Sequence, residues 1–157
     1  AAIQKAFRAF KGIEHRIEPC GTVLGVACFN DSKATNVDST LVALKAFADG
    51  GKRLFLIMGG LHKGSSYAPL KPWLEKTAKA VLTIGSAARR IEGDLSGTVH
   101  VFPCQDLATA VATALQVASK GDVLILSPAC ASFDQFTDYE DRGHRFKALV
   151  AAAAKAK

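Results

Sequence analysis

Three short segments of this chain combine lysine, glycine, hydroxyl and acidic residues in a way typical of anion-binding sites. They read "FNDSKATN" at residues 29–36, "GGLHKGSS" at 59–66 and "SPACASFDQF" at 127–136. Lysine ammonium groups, hydroxyls and free backbone N–H groups are the donors that phosphates and carboxylates require. The residue types therefore predict a site for a phosphorylated or carboxylated ligand.

The first segment could hold a nucleotide. The Asp31 carboxylate could accept both hydroxyls of a ribose, and Lys33, two residues on along an extended stretch, would point the same way toward phosphates. Thr35 and Asn36 fall where the next helix begins, where free N–H groups favour anions. The alternative is a surface ion pair between Asp31 and Lys33 beside an ordinary helix cap, and the segment alone does not separate the two interpretations.

The second segment could fold its backbone closely around a ligand, because glycines 59, 60 and 64 permit tight turns while Lys63 supplies positive charge. It is not a Walker A loop, since the lysine precedes the last glycine. Taken alone, the motif is more typical of a plain surface turn, with His62 a surface residue.

In the third segment, Ser127, Ser132 and the N–H groups around Phe133 could bind a carboxylate. Cys130 could be a thiol nucleophile, but no histidine is spaced near it as in known thiol enzymes, which favours a packed side chain. Phe133, Phe136 and Tyr139 are predicted to lie in the core or to line a pocket.

Apolar runs alternate with helical patterns along the chain, which predicts an α/β fold: a Rossmann-like, doubly wound, mainly parallel sheet of about six strands flanked by helices. The strand candidates are "HRIEPC", "TVLGVACFND", "RLFLIMGG", "AVLTIG", "VHVFPC" and "DVLILSP". Such sheets bind ligands beyond the carboxyl ends of their strands. The three polar segments should therefore meet at one edge.

Helical spacing predicts helices between the strands, with a short separate helix before Gly12. The last helix should begin at a capping box, Thr137-x-x-Glu140, and bury Phe146, Leu149 and Val150. The remaining predicted helices cover 1–11, 37–48, 70–77, 86–92 and 105–118.

Composition excludes several classes of protein. With 157 residues the chain fits one domain, and none of its apolar runs approaches the about 20 residues needed to cross a bilayer, so no membrane partner is expected. The net charge of +6 comes from scattered Lys and Arg without interleaved aromatics, which argues against nucleic acid. Four cysteines without metal-ligand spacing predict buried thiols, no metal site and a reducing, cytoplasmic compartment.

The order and spacing of "NDSKATN", "GG-x-x-K-G" and "LILSPACASFDQFTDYEDRG" resemble the motifs of the Mur ligases of bacterial peptidoglycan synthesis. Within that family they look most like the ligases that join D-glutamate to UDP-N-acetylmuramoyl-L-alanine through an acyl phosphate made with ATP. The resemblance covers the whole chain but only the last third of such an enzyme. It implies that residues 1–12 are a remnant of the central-domain helix and linker, and that 13–157 form the C-terminal, D-glutamate-binding domain.

The resemblance also implies partners and roles. ATP and Mg²⁺ would be bound mainly by the rest of the same ligase chain, so this part alone is expected to be inactive. Arg16, which from its position alone could equally be a solvated strand-edge residue, joins the implied site. The resemblance assigns nucleotide contacts to Arg16, Asp31 and, beside them, His15, a catalytic cation to Lys33, and D-glutamate contacts to Thr35, Lys63, Ser132, Phe133 and Tyr139.

The sequence departs from the family pattern at Leu61 and His62, where acidic or small residues are usual, and at Tyr139, where phenylalanine is frequent. Two other functions stay open. One is a free-standing Rossmann-like nucleotide-binding module, which the fold pattern alone would support. The other is a thiol-dependent acyl transferase that uses Cys130.

Overall fold

The structure, a computed structural model, describes residues 12–156. The helix predicted over 1–11, and with it most of the predicted domain remnant at 1–12, lies outside the described residues.

Within residues 12–156, six strands form one sheet, as predicted, with all neighbours parallel except the first pair. The spatial order is β1-β2-β6-β3-β4-β5, so the last strand lies between the second and the third. The strands are β1 Glu18–Val23, β2 Val26–Asn30, β3 Leu54–Gly59, β4 Ala78–Ile84, β5 His100–Gln105 and β6 Val123–Leu126.

The prediction of one strand over "TVLGVACFND" was wrong, because this segment ends β1, turns, and forms β2. Val23 pairs with Val26 across a two-residue turn at Leu24 and Gly25, which have φ of 49° and 80°. Two consecutive left-handed residues are the geometry of a tight antiparallel hairpin. Only Gly25 marks the turn in the sequence, since Leu24 rarely adopts this conformation.

Helices cover both faces of the sheet, which confirms the doubly wound prediction. One face carries the first three helices and the other carries the last two. Successive side chains of β3 alternate between the two cores: Leu54 and Leu56 pack on one side, Phe55 and Ile57 on the other. The helices are α1 Val37–Ala46, α2 Lys71–Thr77, α3 Ala88–Asp94, α4 Leu107–Val117 and α5 Tyr139–Lys155, with short 3₁₀ turns at Ala48–Gly50 and Ala68–Leu70.

The predicted N-cap of α5 was wrong by one residue. Asp138, not Thr137, is the N-cap, and its carboxylate accepts the N–H of Asp141 at 2.7 Å. Asp141 in turn accepts the N–H of Thr137 at 3.1 Å. The helix buries Phe146 and Val150 as predicted, while Leu149 is half-buried.

In the part of the chain that the structure describes, every helix is too short or too polar to cross a bilayer.

Helix α5 approaches the start of the sheet closely through Gly143. A Cβ at this position would lie 2.1 Å from Nδ1 and 2.6 Å from Cε1 of the His15 ring, and 3.0 Å from Nδ2 of Asn30. The His15 ring is itself 4% exposed. The glycine therefore permits a close approach of helix and ring that any side chain would prevent.

We expect Gly143→Ala to destabilise the protein by about 1–3 kcal/mol, because the added methyl group forces the His15 ring away from its packed position. Gly93→Ala is the matched control, since a Cβ there meets no atom within 4 Å in helix α3. The control should be neutral or stabilising, by up to about 1 kcal/mol. Urea unfolding measures the stability of both variants. If Gly143→Ala were as stable as Gly93→Ala, the packing of the His15 ring would not depend on a glycine at position 143.

Candidate active-site rim

The three polar segments meet at the carboxyl edge of the sheet, as predicted. Because β6 lies between β2 and β3, the loops that follow these strands are neighbours. The N–H of Ala129 donates to the carbonyl of Ala34 at 2.9 Å, and the N–H of Leu61 donates to the carbonyl of Ala131 at 2.8 Å. The loop after β6 is thus hydrogen-bonded to both of the others.

A buried arginine that none of the three sequence motifs marks joins two of these loops. Arg142 in α5 is fully buried, and its guanidinium donates to the Ser32 hydroxyl (3.0 Å), the Ser32 carbonyl (2.7 Å) and the Cys130 carbonyl (3.0 Å). The Ser32 hydroxyl donates in turn to the carbonyl of Tyr139 at 2.6 Å. Burial lowers the pKa of Arg142 to about 10, so the group stays charged at neutral pH.

Helical spacing is the signal that could have found Arg142. It lies one turn before Phe146 and two turns before Val150, on the stripe that the sequence analysis assigned to the core. A charged residue on a buried stripe indicates a partner or a site, because an unpaired buried charge is costly.

Asp31 is buried at the end of β2, with 4% exposure. Its Oδ1 accepts the N–H of Ile17 at 3.0 Å and its Oδ2 accepts the hydroxyl of Ser127 at 2.7 Å. Burial raises the pKa of Asp31 to about 6, although the bonds from Ser127 and Ile17 and the charge of Arg16 oppose this rise. Both oxygens have a partner already, but each retains a lone pair for a ligand hydroxyl.

Asp31, Lys33 and Arg16 line one cavity of about 280 Å³ at this edge. The segment is a turn and not the predicted extended stretch, since the N–H of Ala34 donates to the carbonyl of Asp31 at 2.9 Å. Within residues 12–156, Asp31 and Lys33 form no ion pair, and Asn36 caps α1 by accepting the N–H of Ser39. The remaining lining residues are Ile17, Ala34, Ser39 and Val42.

The ring of His15 does not line this cavity. Its Nδ1 lies 2.9 Å from Nδ2 of Asn30, and the ring packs edge-on against Tyr139 and His144. Its backbone carbonyl accepts the N–H of Lys33 at 3.0 Å. The structure therefore places His15 as a support beneath Lys33, and nucleotide contact by its side chain stays a prediction.

The residues assigned to D-glutamate lie on the three loops and at the start of α5. Thr35 is half-buried, Lys63 is exposed, and Ser132 is buried. Phe133 is 68% exposed, so the interpretation as a core residue was wrong, whereas Phe136 is half-buried. The Tyr139 ring is half-buried against His15. Their loops converge, but ligand contact by each side chain stays a prediction.

Cys130 is a packed thiol. It is fully buried, and burial raises the pKa of its thiol, which disfavours the thiolate that a nucleophile requires. The described chain contains no disulfide, since all four cysteines are free, and Cys20 alone is only half-buried.

Glu14, His15 and His144 place three possible metal ligands within 4.8 Å of one another. Asn30 opposes this use of His15. The Asn30 Oδ1 accepts the N–H of Ser32 (3.1 Å), so its amide nitrogen faces the ring and donates to Nδ1. The neutral ring then carries its proton on Nε2, which lies 3.4 Å from Glu14, so neither ring nitrogen offers a free lone pair to a metal.

Fold and rim together define an α/β domain with three polar loops at one edge of its sheet, and comparison with known families identifies its class. A family described as "Mur ligase, glutamate ligase domain" matches residues 15–130. The chain belongs to this family.

Particular relatives are D-glutamate ligases. The chain is 52% identical over 153 residues to the UDP-N-acetylmuramoylalanine–D-glutamate ligase of Koribacter versatilis (98% of this chain, 33% of the relative) and 49% identical over 148 residues to that of Elusimicrobium minutum (94% and 32%). It spans about a third of the length of these relatives. The fold also resembles the MurF ligase of Thermotoga maritima in complex with ADP, with a TM-score of 0.63 at 15% identity, over 94% of this chain and 33% of that one.

We expect Arg142→Leu to lower the free energy of unfolding by several kcal/mol, because each buried acceptor left without its donor costs about 1–3 kcal/mol. Arg145→Leu is the control on the same helix: its guanidinium is exposed, pairs with Asp141 in the preceding turn and lies 5.8 Å from the centroid of the Phe136 ring. That change should stay within about 0.5 kcal/mol. Chemical denaturation measures both, and an equal effect of the two changes would contradict the proposed bracing role.

Asp31→Asn should change the pH dependence of stability. The folded-state pKa is raised, so the stability that Asp31 contributes is fully present below its ordinary pKa of 3.8 and is lost as the pH rises through about 6. Asparagine imitates the neutral form, since its amide can donate to Ser127 while the Ser127 hydroxyl turns to Thr40, 3.1 Å away. Relative to the parent, the variant should gain about 2–3 kcal/mol between pH 4 and pH 7.

Asp106→Asn is the control, because the pKa of Asp106 is shifted in the opposite direction to that of Asp31. Asp106 caps α4, and the N–H and hydroxyl of Thr109 lower its pKa, so its contribution is present at neutral pH and lost on acidification. Unfolding titrations at several pH values compare the two variants. If the free energy of unfolding changed with pH in the same way for Asp31→Asn and its parent, the pKa of Asp31 would not be raised by folding.

Proposed function

We propose that this chain is the domain of an ATP-dependent ligase that binds D-glutamate and joins it to UDP-N-acetylmuramoyl-L-alanine. The observation that carries the proposal is the identity of 49–52% to ligases named for this reaction, across 94–98% of the chain. The geometry supports it, because the loops that carry Lys33, Lys63 and Ser132 converge on one rim.

In this proposal the cavity beside Asp31 receives the nucleotide. The two lone pairs that Asp31 retains accept ribose hydroxyls, and Arg16 and Lys33 meet phosphate oxygens. These groups fit the ribose and phosphates of ATP, whereas the described residues offer no carboxylate cluster that suits Mg²⁺. We assign Mg²⁺ binding, which would neutralise phosphate charge, to the rest of the ligase chain.

The reaction has two steps. The substrate carboxylate takes the terminal phosphoryl group of ATP, and ADP leaves. The amine of D-glutamate then attacks the carbonyl carbon of this acyl phosphate, an N–C bond forms, the amine loses a proton, and the C–O bond to phosphate breaks. Lys33 would stabilise the charge that develops on the acyl phosphate, and its backbone is held by the carbonyl of His15.

D-Glutamate presents two carboxylates, which require two sets of donors. Lys63 supplies a mobile positive charge, while Thr35, Ser132 and the N–H of Phe133 supply neutral donors. Tyr139 would line the pocket from the start of α5. The donors come from three loops, so ligand binding would hold those loops together.

A domain exchange tests the proposal. This chain replaces the matching third of the Elusimicrobium minutum relative, and phosphate release is measured with ATP, UDP-N-acetylmuramoyl-L-alanine and D-glutamate. Activity that requires D-glutamate supports the proposal, with the remaining two-thirds alone as the control. A folded but inactive exchange protein, together with tight ATP binding by this chain alone, would favour a free-standing nucleotide-binding module.

Lysine substitutions in the exchange protein should separate binding from chemistry. Lys63→Ala should raise the KM for D-glutamate by roughly 10- to 100-fold with little change in kcat, because a charged contact to a carboxylate is worth about 1.5–3 kcal/mol. Lys33→Ala should instead lower kcat. Lys52→Ala, an exposed lysine before β3 at the opposite edge, is the control and should change neither. An unchanged KM in Lys63→Ala would remove Lys63 from the pocket.

A further inference from the structure

The loop between β3 and Tyr67 carries Lys63, and its hydrogen bonds to neighbouring loops are made near its start, at Gly60 and Leu61. Gly59, Gly60 and Gly64 have φ of 127°, 139° and 92°, a region that glycine adopts freely. Because glycine has many conformations in the unfolded chain, ordering these residues costs conformational entropy. Within residues 12–156 the Lys63 ammonium makes no hydrogen bond or ion pair, and the side chain is exposed. The position of Lys63 therefore depends on what anchors the residues around it.

Tyr67 provides an anchor immediately after this loop. The residue is 2% exposed and belongs to the core on the sheet face that carries α1, α2 and α3. Its N–H donates to Oδ2 of Asp94 at 3.1 Å, which fixes the backbone. Its hydroxyl lies 2.9 Å from Nδ1 of His62 and 3.1 Å from Sγ of Cys130.

These three side chains connect the two loops that carry Lys63 and Ser132. His62 directly precedes Lys63, and Cys130 lies two residues before Ser132. The hydrogen bonds among His62, Tyr67 and Cys130 join the same two loops as the backbone hydrogen bond from Leu61 to Ala131. They are therefore a second, side-chain connection between these loops.

Both hydrogen bonds of the Tyr67 hydroxyl can form when all three side chains are uncharged. A tyrosine hydroxyl has one proton and two lone pairs, so Tyr67 can donate to His62 while the Cys130 thiol donates to Tyr67. Burial raises the pKa of both the phenol and the thiol, so both keep their protons at neutral pH. Neither group is available as a nucleophile or base, and what the arrangement can do is hold position.

We propose that His62, Tyr67 and Cys130 form a positioning relay that sets the place of Lys63 relative to Ser132 and so the affinity for the amino-acid substrate. The inference rests on the proposed function, in which Lys63 and Ser132 bind that substrate. None of the three relay residues touches the substrate. They act through the loop backbone, and His62, which departs from the family pattern, is part of the device.

Hydrogen exchange on this chain tests the relay without catalysis. Tyr67→Phe removes the hydroxyl but keeps the ring in the core. The amide of Leu61, bonded to Ala131, should exchange about 3- to 10-fold faster, whereas the amide of Met58 within β3 should not change. Ser65→Ala removes an exposed hydroxyl from the same loop and serves as the control. Unchanged exchange at Leu61 in Tyr67→Phe would overturn the relay.

Kinetics of the exchange protein test its consequence. Tyr67→Phe and His62→Ala should each raise the KM for D-glutamate about 3- to 10-fold, with kcat and the KM for ATP within about twofold. The double variant should be no worse than either single one, because both break one chain. His62→Asn, whose amide reaches the place of Nδ1, should restore the KM.

The outcomes separate the relay from the function on which it rests. If Lys63→Ala raises the KM for D-glutamate but Tyr67→Phe and His62→Ala do not, the relay is wrong and the proposed function stands. If Lys63→Ala leaves the KM unchanged, the proposed role of the loop fails. Strictly additive effects of the two relay substitutions would also overturn the relay.

Discussion

A single buried guanidinium joins two of the three loops that form the rim. Arg142 has no carboxylate partner in the described structure, and its charge is balanced by two carbonyls and a hydroxyl from two loops. Arginine suits this place because its fixed fork reaches three acceptors at once, which a lysine ammonium on a flexible stem would not do with the same geometry. The loops after β2 and β6 are thus braced by a residue that need not touch any ligand.

The rim is rigid at its base and open at its edge. Asp31, Ser127 and Thr40 form a buried hydrogen-bonded group, and the His15 ring fills the space that Gly143 leaves. Lys33 and Lys63, by contrast, are exposed. Fixed acceptors below and exposed cations above suit the ligands that we propose, a nucleotide and a second, charged substrate.

Much of the fold could be predicted from the sequence, because continuous apolar runs such as "LFLIMG" identify buried parallel strands and helical spacing identifies the faces of α4 and α5. The β1–β2 hairpin could not be predicted, since Leu24 carries no turn signal and is held left-handed by strand pairing. The cap of α5 was misplaced by one residue, because threonine and aspartate are both good caps and only the backbone path selects Asp138.

For the site, the amino-acid sequence by itself determined which residue types are present and that three polar loops follow parallel strands, so that they share one edge. Only the tertiary structure decided that β6 lies between β2 and β3, that Asp31 meets Ser127 across 96 residues of sequence, and that Arg142 reaches Ser32 across 110. Local patterns report how a residue sits in its own helix or strand. Strand order and the partners of buried polar groups arise from contacts between distant segments, and no local pattern encodes them.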